Sequence, residues 1–236
     1  MENASGRRSL SASLRDSVKT LLLHPAGTIL SRPFLLIFAL YGGTYLSANA
    51  LDTATSTVTA RPASTVTSGT AKFATSSAAN IGLCIYKDQV FVRLFGPAGG
   101  AAAARPVTLP SYALFALRDC MTIFASFNVP PLLGPVLTRH LGEHTQRFAS
   151  GQTMAQFAAP AFVQLFSTPV HLLGLDLYNR PAGVQGFEGS WRDRAAMVGK
   201  NWAVSTAARI CRIVPAFGVG GVVNVKVRKS LMDRLE

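Results

Sequence analysis

Residues 33–51 read PFLLIFALYGGTYLSANAL, a run without one ionisable side chain. A helix of about 20 mostly apolar residues crosses a hydrocarbon core of about 30 Å, so this run is long enough to span a bilayer. Its Gly42-Gly43 pair leaves bare backbone where a neighbouring helix can come close. A buried helix of a soluble domain shows a polar stripe every turn or so, and this one does not.

Working outward, similar stretches recur. Residues 120–138, CMTIFASFNVPPLLGPVLT, are equally uncharged, and Pro130-Pro131 must break or kink them. Residues 148–170 form the longest uncharged run but contain Gln152, Gln156 and Gln164. Residues 202–225 carry Arg209 and Arg212 before a glycine-rich GVGG, and 73–86 is a weaker candidate, too short to span unaided. Small residues and amides recur in all of them, which suggests spans packed on one another or lining a wet interior. The expectation is an all-α fold, a polytopic transmembrane helical bundle of about four to six spans. Residues 1–23 are set apart as a basic amphipathic N-terminal segment, and 24–236 as a single transmembrane domain. Within it, 52–78, rich in Ser, Thr and Ala, reads as a loop, and so does 97–106.

Composition agrees. Charged residues make up 14% of the chain, against roughly 25% in a soluble domain. The charge is lopsided: 23 Lys+Arg oppose 11 Asp+Glu, a net +12. Nucleic-acid binders gather their cations on one face or in dense runs. Here the groups Arg7-Arg8, Arg192-Asp193-Arg194 and Lys226-Val-Arg228-Lys229 are short and flank apolar stretches, where juxtamembrane cations sit. The partners expected are therefore the lipid bilayer, anionic lipid in particular, a small anionic solute, and other membrane proteins, not nucleic acid. Cys84, Cys120 and Cys211 are odd in number and widely spaced, and read as buried, reduced thiols.

Ionisable residues within or beside spans are costly to bury and mark function by default. Arg118-Asp119 lie inside a longer apolar context, with side chains about 100° apart on a helix, so each is expected to seek a partner on another span. His171 and Asp176 follow the 148–170 run. Arg209 and Arg212, three apart on one helical face, could hold an anion or reach for headgroups. These six residues are the tentative substrate-binding set. No catalytic constellation, nucleotide-binding loop or cofactor motif is present, so no enzyme and no cofactor is expected. His140 and His144 in RHLGEHTQR lack the HExxH spacing of a zinc protease, and no metal is expected.

The segment Arg209-Ile-Cys-Arg212-Ile-Val-Pro215-Ala216-Phe217-Gly218, running on to a basic end at Val225–Leu231, resembles the closing even-numbered helix of mitochondrial solute carriers. Gln164-Leu-Phe-Ser-Thr-Pro169, running on to Leu175-Asp176, looks like the proline-bearing helix that opens a carrier repeat, and Pro25 with Arg32 like an earlier copy. The resemblance implies a mitochondrial membrane, inner rather than outer, and carrier-like transport. The repeat signature wants an acid two residues after the proline and a base three later. His171 and Gly174 stand there after Pro169, and Gly27 and Leu30 after Pro25, so the salt-bridge gate of that family is missing.

Two functions follow. One is carrier-like movement of a small anionic solute, which expects Arg118, Asp119, Arg209 and Arg212 to converge on one water-filled cavity. The other is a non-catalytic membrane scaffold or assembly component, which expects them to scatter toward the headgroups. The N-terminal segment is compatible with a mitochondrial targeting sequence or with a helix lying in the headgroup layer.

Overall fold

The computed structural model describes residues 10–62, 66, 69–95, 108–142, 148–179 and 190–232, and among these the chain is all-helical. The helices are α1 Leu10–Leu23, α2 Pro25–Ile29, α3 Arg32–Thr59, α4 Thr70–Phe95, α5 Leu109–Phe127, α6 Val129–His140, α7 Gly151–Phe162, α8 Gln164–Asn179, α9 Trp191–Ile213 and α10 Gly220–Met232. A π-helical turn, Val214–Val219, joins the last two. Three stretches are long and apolar enough to cross a membrane: Arg32–Thr59, Gly151–Tyr178 and Trp191–Met232. A fourth is the pair α5 and α6, bent by 43° where Asn128 and Pro130-Pro131 interrupt the helix. The four principal runs read from the sequence all fall on these elements, at the lower end of the expected number.

Two expectations need correction. The loop expected at 52–78 is mostly helix: α3 runs to Thr59 and α4 begins at Thr70. The helix accommodates the threonine hydroxyls along its own backbone. Thr53 donates to Asn49 O at 2.9 Å, Thr57 to Thr53 O at 2.9 Å and Thr59 to Thr55 O at 2.7 Å, so the hydroxyls bond back along the helix. The helix stops where Ala60 takes φ 48° and Arg61 N–H donates to Ser56 O, a Schellman closure with Pro62 behind it. The second correction concerns 73–86. It is the middle of α4, long enough to cross but less apolar than the others, with Lys72, Lys87, Asp88 and Arg93 in its sequence.

The chain divides into two compact units, and α3 and α4 contribute to both. The first holds residues 1–44 and 79–106. Every described side chain of α1 is exposed there. Asn80 on α4 donates to the Thr44 hydroxyl at 3.1 Å, and that hydroxyl donates to Leu40 O at 2.7 Å. Gly43 lies under Leu83, where a Cβ would come within 2.7 Å, so the glycine does allow a close helix approach. Its companion Gly42 meets only Phe38 of its own helix. Cys84 is buried here, whereas Cys120 is half-buried and Cys211 exposed, so only one thiol fits the buried reading.

The second unit holds residues 45–78 and 107–236. Tyr45, Phe127 and Phe217 form an aromatic cluster with centroids 5.2 to 5.9 Å apart. Gly218, against Phe157, and Gly221, against Gln156, seat the end of the chain on α7, so GVGG serves helix packing as its setting suggested. Pro215 lacks an N–H for the regular ladder, and the wider π turn absorbs the defect. Long apolar side chains such as Phe38, Leu46, Phe162 and Val204 are exposed, as lipid-facing positions require.

Candidate functional site

The second unit contains a cavity of about 210 Å³ whose lining mixes charged and amide groups with apolar ones. On α3 its walls come from Tyr45, Asn49 and Asp52, and on α10 from Gly221, Asn224, Val225, Arg228 and Lys229. Both sets recur at three- and four-residue intervals, so each helix offers one continuous face. Lys72 of α4, Ser126 and Phe127 of α5, and Gln152 and Gln156 of α7 complete most of the lining.

An ion cluster forms part of its wall. Lys72 Nζ donates to Asp52 Oδ2 at 2.6 Å, and Arg228 Nη1 lies 3.6 Å from the same oxygen. Asp52 is only 3% exposed, so its carboxylate relies on these cations in place of water. The other two nitrogens of Arg228, Nε and Nη2, are buried and have no hydrogen-bond partner among the described residues. Beside the ions, Asn49 and Asn224 form a reciprocal amide pair, with N–O distances of 2.6 and 3.2 Å. Gln156 is fixed by donating to the carbonyls of Ser126 at 2.9 Å and Phe217 at 2.8 Å. One acid, several bases and four amides thus meet in one hollow.

The six residues singled out from sequence lie elsewhere. Arg118 and Asp119 pair with each other, contrary to the expectation of partners on other spans alone: Nε donates to Oδ1 at 2.9 Å and Nη2 to Oδ2 at 2.7 Å. Arg118 also reaches across to His171 Nδ1 on α8 at 3.0 Å, with Phe115 against both. Asp176 accepts from Arg194 Nη1 at 2.5 Å, and both are buried. Arg194 is therefore not the juxtamembrane cation expected of Arg192-Asp193-Arg194, although Arg192 is exposed. Arg209 is buried between α9 and α8, donating to Gln164 Oε1 at 3.0 Å and facing Ser167 Oγ at 3.5 Å. Arg212 is exposed, so the two arginines do not share an environment. A three-residue step turns a helix by about 300°, and at this contact that offset separates inside from outside.

The predicted residues thus neither converge on one cavity nor scatter to the surface. Five of them build polar links between or along helices, and none lines the cavity. His140 ends α6 and is exposed, while Glu143 and His144 lie outside the described residues. The sequence conceals the cavity residues for identifiable reasons: Asp52 and Lys72 fall in a Ser/Thr-rich stretch of loop-like composition, and Arg228-Lys229 in a basic group that looks juxtamembrane. The spacing of Tyr45, Asn49 and Asp52 was the available signal.

Comparison with curated proteins and with solved structures finds no match. The mitochondrial-carrier identity suggested by the C-terminal motif gains no support. A family model described as "Probable citrulline exporter" matches residues 1–232, so the chain belongs to that family of membrane transporter-like proteins.

Proposed function

We propose that the protein exports a small, zwitterionic amino acid of the citrulline kind, and that the cavity between α3, α4, α7 and α10 is where the solute binds. The observation that carries this reading is the composition of the cavity wall. Citrulline has a carboxylate, an ammonium and an uncharged urea group. Lys72, Arg228 and Lys229 supply charge for the first, Asp52 for the second, and Asn49, Asn224, Gln152 and Gln156 offer amides to the third. Amide donors and acceptors match a urea group better than a point charge would. The anionic solute expected from net charge narrows, in this reading, to a zwitterion bound by its carboxylate end.

The bent α5–α6 pair and the π turn after Pro215 support a transport role, because interrupted helices commonly surround the sites of membrane transporters. The bases hold Asp52 while the cavity is empty, and an arriving zwitterion replaces part of that cluster with its own two charges. For the membrane, the mitochondrial inner membrane remains our proposal. It is supported by the basic, exposed helix α1, and fusion of residues 1–23 to a reporter tests it.

The direct test is efflux from proteoliposomes loaded with labelled citrulline, with ornithine and arginine as cationic controls. Saturable release of citrulline that is lost in Asp52→Asn supports the reading. If no amino acid is released and the protein is recovered only within a larger assembly, the scaffold reading takes its place.

A further inference from the structure

Asn49 of α3 and Asn224 of α10 face each other in the cavity wall as a closed amide pair. Asn49 Nδ2 donates to Asn224 Oδ1 at 2.6 Å, and Asn224 Nδ2 returns a bond to Asn49 Oδ1 at 3.2 Å. Both residues are half-buried, so the pair keeps accessible surface where it lines the cavity. Asn49 stands three residues before Asp52, and Asn224 four before Arg228. On both helices the amides therefore lie one turn from the ion cluster.

The pairing is chemically selective. Each asparagine engages the other through one edge, a carbonyl acceptor beside an N–H donor. The carbonyl and terminal amino group of a ureido group present the same edge. A ureido group can therefore take the place of either asparagine and return both hydrogen bonds to the other. A guanidinium is also planar but has only donors, so one of its N–H groups would meet an N–H of the asparagine. An ammonium likewise offers donors alone. A trans secondary amide holds its N–H and C=O on opposite sides and cannot present the paired edge. The exchange is balanced for the ureido group, and for the others it leaves a polar group unmet. Gln156 cannot serve in the same way, because its Nε2 already donates to the carbonyls of Ser126 and Phe217.

We propose that Asn49 and Asn224 form a ureido receptor, in which the amide pair opens and one asparagine accepts the ureido edge in place of the other. This exchange sets the preference for citrulline over arginine and ornithine. It rests on the cavity being the solute site.

The test is a thermal-shift titration of the purified full-length protein in detergent with citrulline, Nδ-acetylornithine, arginine and glutamine. It is repeated on the double variant Asn49→Leu with Asn224→Leu, since replacing both partners of a hydrogen bond by apolar groups of similar size leaves neither unmet. Nδ-acetylornithine keeps the head group, the chain and a neutral carbonyl end, but has a methyl group where citrulline has its terminal amino group. Wild type is expected to bind citrulline about tenfold more tightly than Nδ-acetylornithine, or better, and the double variant to bring that ratio close to one. A pair that only ties α3 to α10 would weaken both compounds together and leave the ratio unchanged. That result, or equal binding of the two compounds by wild type, overturns the proposal. Citrulline efflux that is lost in Asp52→Asn but keeps its selectivity in the double variant overturns the receptor and leaves the cavity standing as the solute site. If glutamine binds with the same dependence on the two asparagines while citrulline does not, the receptor stands and the citrulline assignment falls. If no compound with a ureido or primary-amide end binds, the receptor falls. Should the double variant fail to fold, the ratio on wild type decides the matter.

Discussion

Asp52 and Lys72 stand 20 positions apart in the chain, yet their charged atoms meet at 2.6 Å between α3 and α4. Their side chains are 4% and 12% exposed, so the pair is substantially removed from water. Removing one partner of a buried pair leaves the other charge uncompensated, at a cost of about 3–5 kcal/mol, whereas replacing both with neutral groups costs less. Asp52→Asn and Lys72→Met are each expected to destabilise the protein by about 3 kcal/mol. The double variant should lie closer to wild type than the sum of the two. Denaturant unfolding in detergent micelles measures the cycle, and single variants within about 0.5 kcal/mol of wild type would show that the pair is solvated.

Glycine positions provide a steric probe of the same cavity. A Cβ on Gly221 would overlap the side-chain amide of Gln156, which holds the carbonyls of Ser126 and Phe217. Gly221→Ala should therefore displace Gln156, cost about 1–3 kcal/mol, and reduce efflux. Gly199, itself exposed on α9, has nothing within 4 Å of an added Cβ. Gly199→Ala should stabilise by about 0.5–1 kcal/mol through helix propensity alone, with efflux unchanged. Equal effects of the two substitutions would contradict the packing described for α7 and α10.

The spans were legible because length and the absence of charge are properties of a contiguous string. The cavity was not, because it depends on which faces of several helices, separated in the chain, line one space. Asp52 opens a run of Thr and Ser that composition alone assigns to a loop, yet the run is helical, with Thr53, Thr57 and Thr59 bonding back to carbonyls one turn earlier. Arg194 and Arg228 sit in basic clusters of ordinary juxtamembrane appearance. Their burial follows from Asp176 and Asp52, which are distant in sequence. Gln156 and Gln164 did signal a polar interior, and one lines the cavity while the other holds Arg209.

Ala60 occupies the left-handed region at φ 48° where α3 closes. An L-residue with a Cβ is strained there by about 1–2 kcal/mol, and glycine is not. Ala60→Gly should stabilise the folded protein by up to about 1 kcal/mol, since glycine's greater freedom in the unfolded chain offsets part of the relief. A rise in the unfolding midpoint without a change in slope is the expected result, and a fall would rule out this closure of α3.

Arg209 and Arg212 separate two accounts of the basic residues on α9. Arg209 joins α9 to Gln164 and Ser167 on α8, and hydrogen bonds to a charged group contribute about 1.5–3 kcal/mol. Arg209→Ala should lose stability in about that range, while exposed Arg212→Ala stays within about 0.5 kcal/mol of wild type. Neither lines the cavity, so efflux per folded molecule should remain close to wild type in both. The opposite pattern, full stability with abolished efflux in Arg209→Ala, would shift the solute path to the polar seam between α8 and α9. The buried hydroxyls of Thr168 and Thr206 there have no hydrogen-bond partner among the described residues, which leaves two polar groups on that seam.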